Sequence, residues 1–222
     1  EDFESYPRDF EHDKKLLESK NIDYLFAPEA ASMYPIGFST SIHLSGITEV
    51  FEGVTRPTHF DGVALVVLKL FEISQCNIAI FGQKDYQQTL VVKRMITDLN
   101  LPVQMIVCPT FREANGLAMS SRNRYLSEDE KEKAATLFLA LESAKKSIAQ
   151  GERRRKIINS ILLSIIRTVP EIKVDYINTA RADTLETPDE FFPGEEIVML
   201  IAVFVGRTRL IDNAILKIPS QL

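Results

Sequence analysis

NIAIFGQKDYQQTLVVKRMITDLNLPVQMIVCP, residues 77–109, changes its periodicity twice, and that change sets the fold class. NIAIFG (77–82) is a short apolar run stopped by glycine, which reads as a strand. KDYQQTLVVKRMITDLN (84–100) places Leu90, Val91, Met95, Ile96 and Leu99 at helical spacing. VQMIVCP (103–109) returns to a β-rich run and ends on proline. Strand, helix and strand in one stretch of this length form a βαβ unit, and hence part of a parallel sheet.

Upstream, residues 60–74 put Val63, Val66, Val67, Leu70 and Phe71 at helical spacing, which predicts a helix despite the β-branched content. A short surface helix is expected from Asp9 to about Lys20, a buried strand over IDYLFAP (22–28) and another over FSTSIHLS (38–45). Downstream of Pro109 the texture changes. Ser127 followed by Glu130 is a capping-box pattern opening a long helix to about Gln150, which Gly151 can end. A second helix follows from about Arg154 to Thr168. Then DYINTA (175–180) and EEIVMLIAVFVGRTRLIDNAIL (195–216) read as strands with turns. The expected architecture is α/β: a Rossmann-like parallel-sheet part over residues 1–110 and a small α+β part over 111–222, with the boundary near Phe111.

The 222 residues are 45% hydrophobic and 26% charged, an ordinary globular profile. A net charge of −5 argues against a protein built to coat nucleic acid. The longest apolar run, residues 197–205, is far short of the roughly 18 residues that a membrane helix needs. No signal peptide is read. Cys76 and Cys108 lie in apolar, strand-like contexts without a second ligand at metal spacing, so a reduced, buried pair in a cytoplasmic protein is expected. The first residue is Glu1, and the opening EDFESYPRDFEHD is polar, which suggests a processed product or a fragment.

Three segments carry candidate chemistry. FGQKDYQQ (81–88) sits where a parallel strand gives way to a helix, the default ligand crevice of an α/β sheet. Gly82 allows close approach to the backbone, Lys84 supplies a charge, Asp85 can accept from a ribose, and Gln87 and Gln88 follow. The bland alternative is a capped helix start with a solvated first turn, and the glycine spacing excludes a Walker A loop. MSSRN (119–123) offers hydroxyls and an arginine suited to phosphate oxygens, with Arg112 and the bend-permitting Gly116 nearby. Its alternative is a polar loop whose serines make local turns. GVTRPTHFDGV (53–63) carries Arg56 and His59, and a lone histidine before a helix is usually a structural partner or cap. No Ser-His-Asp set, no paired Cys and His ligands and no HExxH occur. GERRRK (151–156), without interleaved aromatics, reads as a solvated face rather than an RNA site.

In order and spacing RPTHFDGV, FGQKDYQQ and REANGLAMSSRNRYL, together with YPRD, MYP and GRTRLIDNAIL, resemble the pantothenate synthetase (pantoate–β-alanine ligase) family along essentially the whole chain. MSSRN takes the place of the KMSKS loop of class I tRNA synthetases. The resemblance implies a nucleotidyltransferase-like fold and two steps: ATP and pantoate give a pantoyl adenylate, and β-alanine then displaces AMP. It also implies that Gly82, Gln83, Lys84 and Asp85 bind nucleotide, with Lys84 near phosphate and Asp85 near ribose. Phe111 and Met119 would flank adenine and ribose, partly through backbone groups, and Ser120, Ser121 and Arg122 would clamp the triphosphate alongside Mg²⁺. Gln88 would hold pantoate, with Tyr6 and Arg56 as pocket walls. Members are generally cytoplasmic homodimers paired through the nucleotide-binding domain.

Gln83 stands where glutamate is usual and Asn115 where aspartate is common. The family's PTMGxLHxGH turn and FVNPxQF segment do not occur, and His12, His43 and His59 do not form HxGH. The expectation is therefore a C-terminal portion lacking one wall of the phosphate pocket and inactive alone. A non-catalytic module, or an adenylate-forming enzyme for another acid, remain as alternatives.

Overall fold

A computed structural model describes residues 9–220. The chain divides into two compact units, Glu1–Ser41 and Ile42–Leu222. In the first, α1 (Phe10–Ser19) is capped by the Asp9 carboxylate, which accepts from the His12 backbone N–H, and α2 (Ala30–Met33) is a single turn. The run 22–28 is exposed coil rather than the expected strand, and 38–45 also joins no ladder. A strand exists only through a partner, and neither run finds one among the described residues.

The second unit begins with a short α3 (Glu52–Thr55) and the apolar α4 (His59–Ser74). Next come β1 (Ile78–Gly82), a 3-10 turn (Gln83–Asp85), α5 (Tyr86–Asp98) and β2 (Gln104–Cys108). The βαβ expectation holds: β1 and β2 pair in parallel, from Ile78 opposite Gln104 to Gly82 opposite Cys108. Alternation along β1 turns Ala79 and Phe81 onto the cluster built by Phe60, Val67 and Phe71 of α4 and Val91, Val92 and Met95 of α5. Ile78 and Ile80 point the other way and are exposed. β2 is mostly exposed as well, which corrects the cysteine reading: Cys108 is exposed, Cys76 half-buried, and both thiols are free.

After the 3-10 turn Ser121–Tyr125 come α6 (Glu128–Ala134), α7 (Thr136–Ala149) and α8 (Arg155–Ile166). The capping box is present in full: the Ser127 hydroxyl accepts from the Glu130 N–H, and the Glu130 carboxylate accepts from the Ser127 N–H. The single long helix expected to follow is two, interrupted at Ala135, which itself keeps right-handed dihedrals. Gly151, at φ +101°, ends α7 as expected.

β3 (Ile172–Arg181), β4 (Glu196–Val205) and β5 (Thr208–Lys217) form an antiparallel sheet in the order β3-β4-β5. β4 is buried on both faces, which explains why its sequence runs apolar without alternation. Ile197, Met199, Ile201, Val203 and Val205 join Leu141, Ile148, Ile158 and Leu162 of the helices. Val198 and Leu200 face Tyr86 and the half-buried Ile47, Val50, Phe51 and Leu90. The sheet is thus a shared wall, with α7 and α8 on one face and the start of α5 on the other. No helix among the described residues is long and apolar enough to cross a membrane.

Candidate functional site

Because Gly82 pairs with Cys108, both parallel strands release the chain at the same edge. β1 runs directly into the Gln83–Asp85 turn, and β2 runs into the segment holding Phe111 to Asn123. Two of the three candidate segments therefore leave from neighbouring carboxyl ends, where α/β sheets take their ligands. Both 3-10 turns, Gln83–Asp85 and Ser121–Tyr125, also pack on β5.

Within FGQKDYQQ the side chains divide by partner. The Gln83 amide donates to Asn213 Oδ1 at 3.1 Å. The buried Tyr86 hydroxyl donates to the Ala182 carbonyl at 2.6 Å, and burial followed by the charges of Glu196 and Asp183 raises its pKa above the ordinary tyrosine range. Gln87, also buried, donates to the carbonyls of Ile47 and Val50 and accepts from the Glu52 N–H, so it holds the 47–52 loop. Among the described residues Gln88 makes no side-chain hydrogen bond, although it is half-buried. Of the three glutamines it alone has an amide that no other described residue engages. Lys84, with its side chain 18% exposed, lies 4.0 Å from the more open Asp85 carboxylate. Gly82 has φ −89°, and a Cβ there would meet nothing within 4 Å. Nothing in the chain's own packing requires glycine at this position.

The second segment is a miniature hairpin. Arg112 and Ala118 form an antiparallel bridge, and the Met119 N–H donates to the Phe111 carbonyl at 2.8 Å. Those two backbone groups, expected to help hold a nucleoside, are therefore engaged with each other, and the side chains of Phe111 and Met119 stand exposed. The tip turns at Gly116, whose φ of +93° favours glycine, and a Cβ there would run into the Phe138 ring. The Asn115 carboxamide oxygen accepts from the Leu117 N–H, so the tip is closed by asparagine in place of aspartate. The Ser120 hydroxyl caps the following turn by accepting from the Arg122 N–H at 3.2 Å. Ser120, Ser121 and Arg122 are half-buried, and Asn123 beneath them is buried, donating to the Glu113 carboxylate and the Ala118 carbonyl.

Sequence reasoning singled out Arg112 only as a neighbour of the phosphate candidates and passed over Asp212 and Asn213, and these three residues hold the two segments. Arg112 makes a two-point ion pair with Asp212 of β5, at 2.6 and 3.0 Å, while its guanidinium lies 4.7 Å over the Phe138 ring. Asn213 donates to the carbonyls of Gln83 and Lys84 at 3.0 and 2.9 Å. The signal was present as RLIDN in the tail motif, but its partners lie about 100 and 130 residues away in sequence.

The third segment is structural at its core. Glu52, in α3, receives two hydrogen bonds from Arg209 and one from the Tyr176 hydroxyl. Burial pushes the Glu52 carboxyl up, but Arg209, Tyr176 and the field of Arg56 together pull it below its ordinary value. Arg56 caps the end of α3, and His59 is the first residue of α4. Tyr6 lies outside the described residues. The basic run is taken up locally: Arg154 pairs with Glu152, Arg153 with Glu190, and Arg155 reaches Asn178, Pro188 and Asp189.

Comparison with known proteins bears on the family and the fold. The pantoate-beta-alanine ligase family profile matches residues 1–215. The pantothenate synthetase of Moorella thermoacetica is 46% identical over 218 residues, covering 98% of this chain and 76% of that protein. That of Caldicellulosiruptor saccharolyticus is 48% identical, covering 98% and 77%. The crystal structure of pantothenate synthetase from Thermus thermophilus superposes with a TM-score of 0.91 at 41% identity, over 99% of this chain and 78% of that one. Pantoate-beta-alanine ligase from Francisella tularensis, complexed with beta-gamma ATP and beta-alanine, gives 0.72 at 30% identity, over 96% and 72%. With a matching profile, close relatives and a shared nucleotidyltransferase-like fold, the chain belongs to the pantoate–β-alanine ligase family.

Proposed function

We propose that this chain takes part in the ATP-dependent condensation of pantoate with β-alanine through a pantoyl adenylate. The observation that carries the reading is the convergence of the Lys84 turn and the Ser120–Arg122 segment on β5, at the carboxyl edge of the parallel strands. In the first step a pantoate carboxylate oxygen attacks the α-phosphorus of ATP, and the bond from that phosphorus to the bridging oxygen breaks, releasing pyrophosphate. In the second the β-alanine amine attacks the acyl carbon, the acyl–oxygen bond breaks, AMP leaves, and the nitrogen gives up a proton.

Negative charge builds on the phosphates during the first step, so the groups required are cations and hydrogen-bond donors fixed beforehand. Lys84, Ser120, Ser121 and Arg122 fill that role. Asp85 faces the ribose, and Phe111 and Met119 supply exposed apolar surface beside the base. Gln83 acts through the position of its turn, since its amide is turned to Asn213. Gln88 holds pantoate with its unengaged amide, and Arg56 is assigned to the pocket wall. Magnesium would enter as a companion of the ATP phosphates.

In this reading residues 1–110 contribute the nucleotide and pantoate side, and 111–222 form an α+β domain with the phosphate loop at its start. A cytoplasmic homodimer accompanies it. HxGH does not occur in these 222 residues, so pantoate-dependent ATP–pyrophosphate exchange by this chain alone is expected to be at background. ATP titrated by calorimetry, with and without pantoate, tests the site itself. Binding that is weak but lost on Lys84→Ala supports it, and no heat with the wild-type chain overturns it.

A further inference from the structure

Asp212 and Asn213 are consecutive, almost wholly buried polar residues in the middle of a strand, where apolar side chains would pack without desolvation cost. Asp212 pairs across the ladder with Ile201, on the face of the sheet covered by α7 and α8, and Asn213 pairs with Leu200, on the face toward α5. Strand alternation thus sends the two side chains to opposite faces. On one face Asp212 takes both guanidinium nitrogens of Arg112, whose Nη1 also donates to the Gly116 carbonyl at 3.0 Å, pinning the hairpin at its base and its tip. Asp212 Oδ1 accepts in addition from the Asn213 N–H at 2.7 Å. On the other face both amide hydrogens of Asn213 go to the carbonyls of Gln83 and Lys84, and its oxygen takes the Gln83 amide.

We propose that Asp212 and Asn213 are positioning residues: from opposite faces of one strand they fix the spacing between the Lys84 turn and the Ser120–Arg122 segment, and so the register of a nucleoside triphosphate held by both. The second half of this statement rests on the nucleotide-site reading above. Preorganisation is the physical basis. Residues 83–88 and 111–123 lie far apart in the chain, and loops left to themselves would sample many separations. Two adjacent residues of a rigid strand are about 3.3 Å apart along it, and that fixed step passes to both loops. Satisfying these groups completely is also what makes their burial tolerable, because any one partner removed strands the others.

The experiment uses the 222-residue chain with the isosteric variants Asn213→Asp and Asp212→Asn, and Ile158→Val as a distant core control. Asn213→Asp keeps the shape but sets a carboxylate against two carbonyls, whereas Asp212→Asn keeps the shape and removes the charge facing Arg112. Amide hydrogen exchange is expected to rise about tenfold in residues 83–88 for Asn213→Asp and in 112–119 for Asp212→Asn, each leaving the other segment within about twofold. Mg-ATP affinity should fall about tenfold in both and adenosine affinity by a smaller factor, because adenosine meets none of the phosphate-side groups, and Ile158→Val should change neither affinity. Uniform loosening of the whole unit, or ATP and adenosine affinities falling together in step with melting temperature, would overturn the proposal. A wild-type chain that binds no ATP defeats the nucleotide reading and the register claim with it. The exchange pattern then decides the fixing of the two segments by itself.

Discussion

Two arginines grip buried carboxylates at points three positions apart on β5, Arg209 from the strand itself and Arg112 by reaching Asp212, and the two clamps do different jobs. Arg209 projects from the strand and closes a cluster with Glu52 of α3 and Asp175 of β3, its side chain 7% exposed and that of Glu52 11%. The ladder of β3 shifts register between Val174 and Tyr176, which leaves Asp175 at the irregularity and aims its carboxylate at the guanidinium. Arg112 comes from outside the sheet and reaches an Asp212 that is 2% exposed, while Arg112 itself is 20% exposed. The first clamp joins three elements of the fold, α3, β3 and β5. The second ties a hairpin, and the difference teaches that buried ionic groups in this chain divide between holding the core together and holding a site in place.

The largest expected effect breaks the first clamp. Arg209→Ala strands Glu52 and Asp175 together and should cost about 3–5 kcal/mol in denaturant unfolding, since a buried charge without its partner is among the most destabilising changes. Arg112→Ala also strands a buried carboxylate, so the division is decided by where the loosening appears: an exchange increase spread over the whole unit, and not centred on residues 112–119, would make it wrong. Acid supplies a second handle on the same cluster. The Glu52 carboxyl is depressed in the folded state, so its contribution to stability is fully present above its ordinary value of 4.5 and is lost as pH falls through the lower folded value. Stability measured from pH 6 downward should therefore drop below about 4.5, and Glu52→Gln should flatten that part of the curve.

The hairpin clamp answers to smaller changes. Gly116→Ala combines a left-handed backbone with a collision against Phe138 and should lower stability by about 2–3 kcal/mol, with the exchange increase centred on residues 112–119. Arg112→Lys keeps the charge but loses the two-point contact and the stacking on Phe138. It should cost about 1–2 kcal/mol and weaken ATP more than it weakens the fold.

Much of this was legible in the sequence, for physical reasons that differ by region. The βαβ unit was readable because period 2 and period 3.6 alternate over 33 residues, and the cap at Ser127 because both of its partners lie within four residues. The positions of Gln83, Gln87 and Asn213 as internal ties were not readable. Each carries the same amide as Gln88, and only the fold shows which amides meet carbonyls from remote segments. The run 22–28 looked like a strand because apolar composition registers burial potential, whereas pairing is a property of a neighbour. The exposure of Cys108 and Ile80 has the same origin: an apolar strand reads as buried on both faces even where only one is covered.

The smallest effect tests how far the site extends past the hairpin. GLAMSSRNRYLSEDE joins a phosphate-side segment to an acidic helix start, and Ser127 resembles Ser120 in that its hydroxyl accepts a backbone N–H two or three residues on. The surroundings separate them. Ser127 is exposed, its reciprocal bond with Glu130 closes a box at the N-terminus of α6, and the acidic Glu128, Asp129 and Glu130 sit where the helix dipole favours negative charge. A triphosphate would be repelled from that turn. Ser127→Ala should thus remove about 1 kcal/mol of stability, the ordinary worth of a cap, and leave ATP affinity unchanged. Ser120→Ala loses a comparable cap yet should weaken ATP several-fold, because its hydroxyl belongs to the segment proposed to clamp the triphosphate. Equal responses from the two serines would move the boundary of the site into α6 and remove the distinction between a clamp that holds the fold and one that holds a ligand loop.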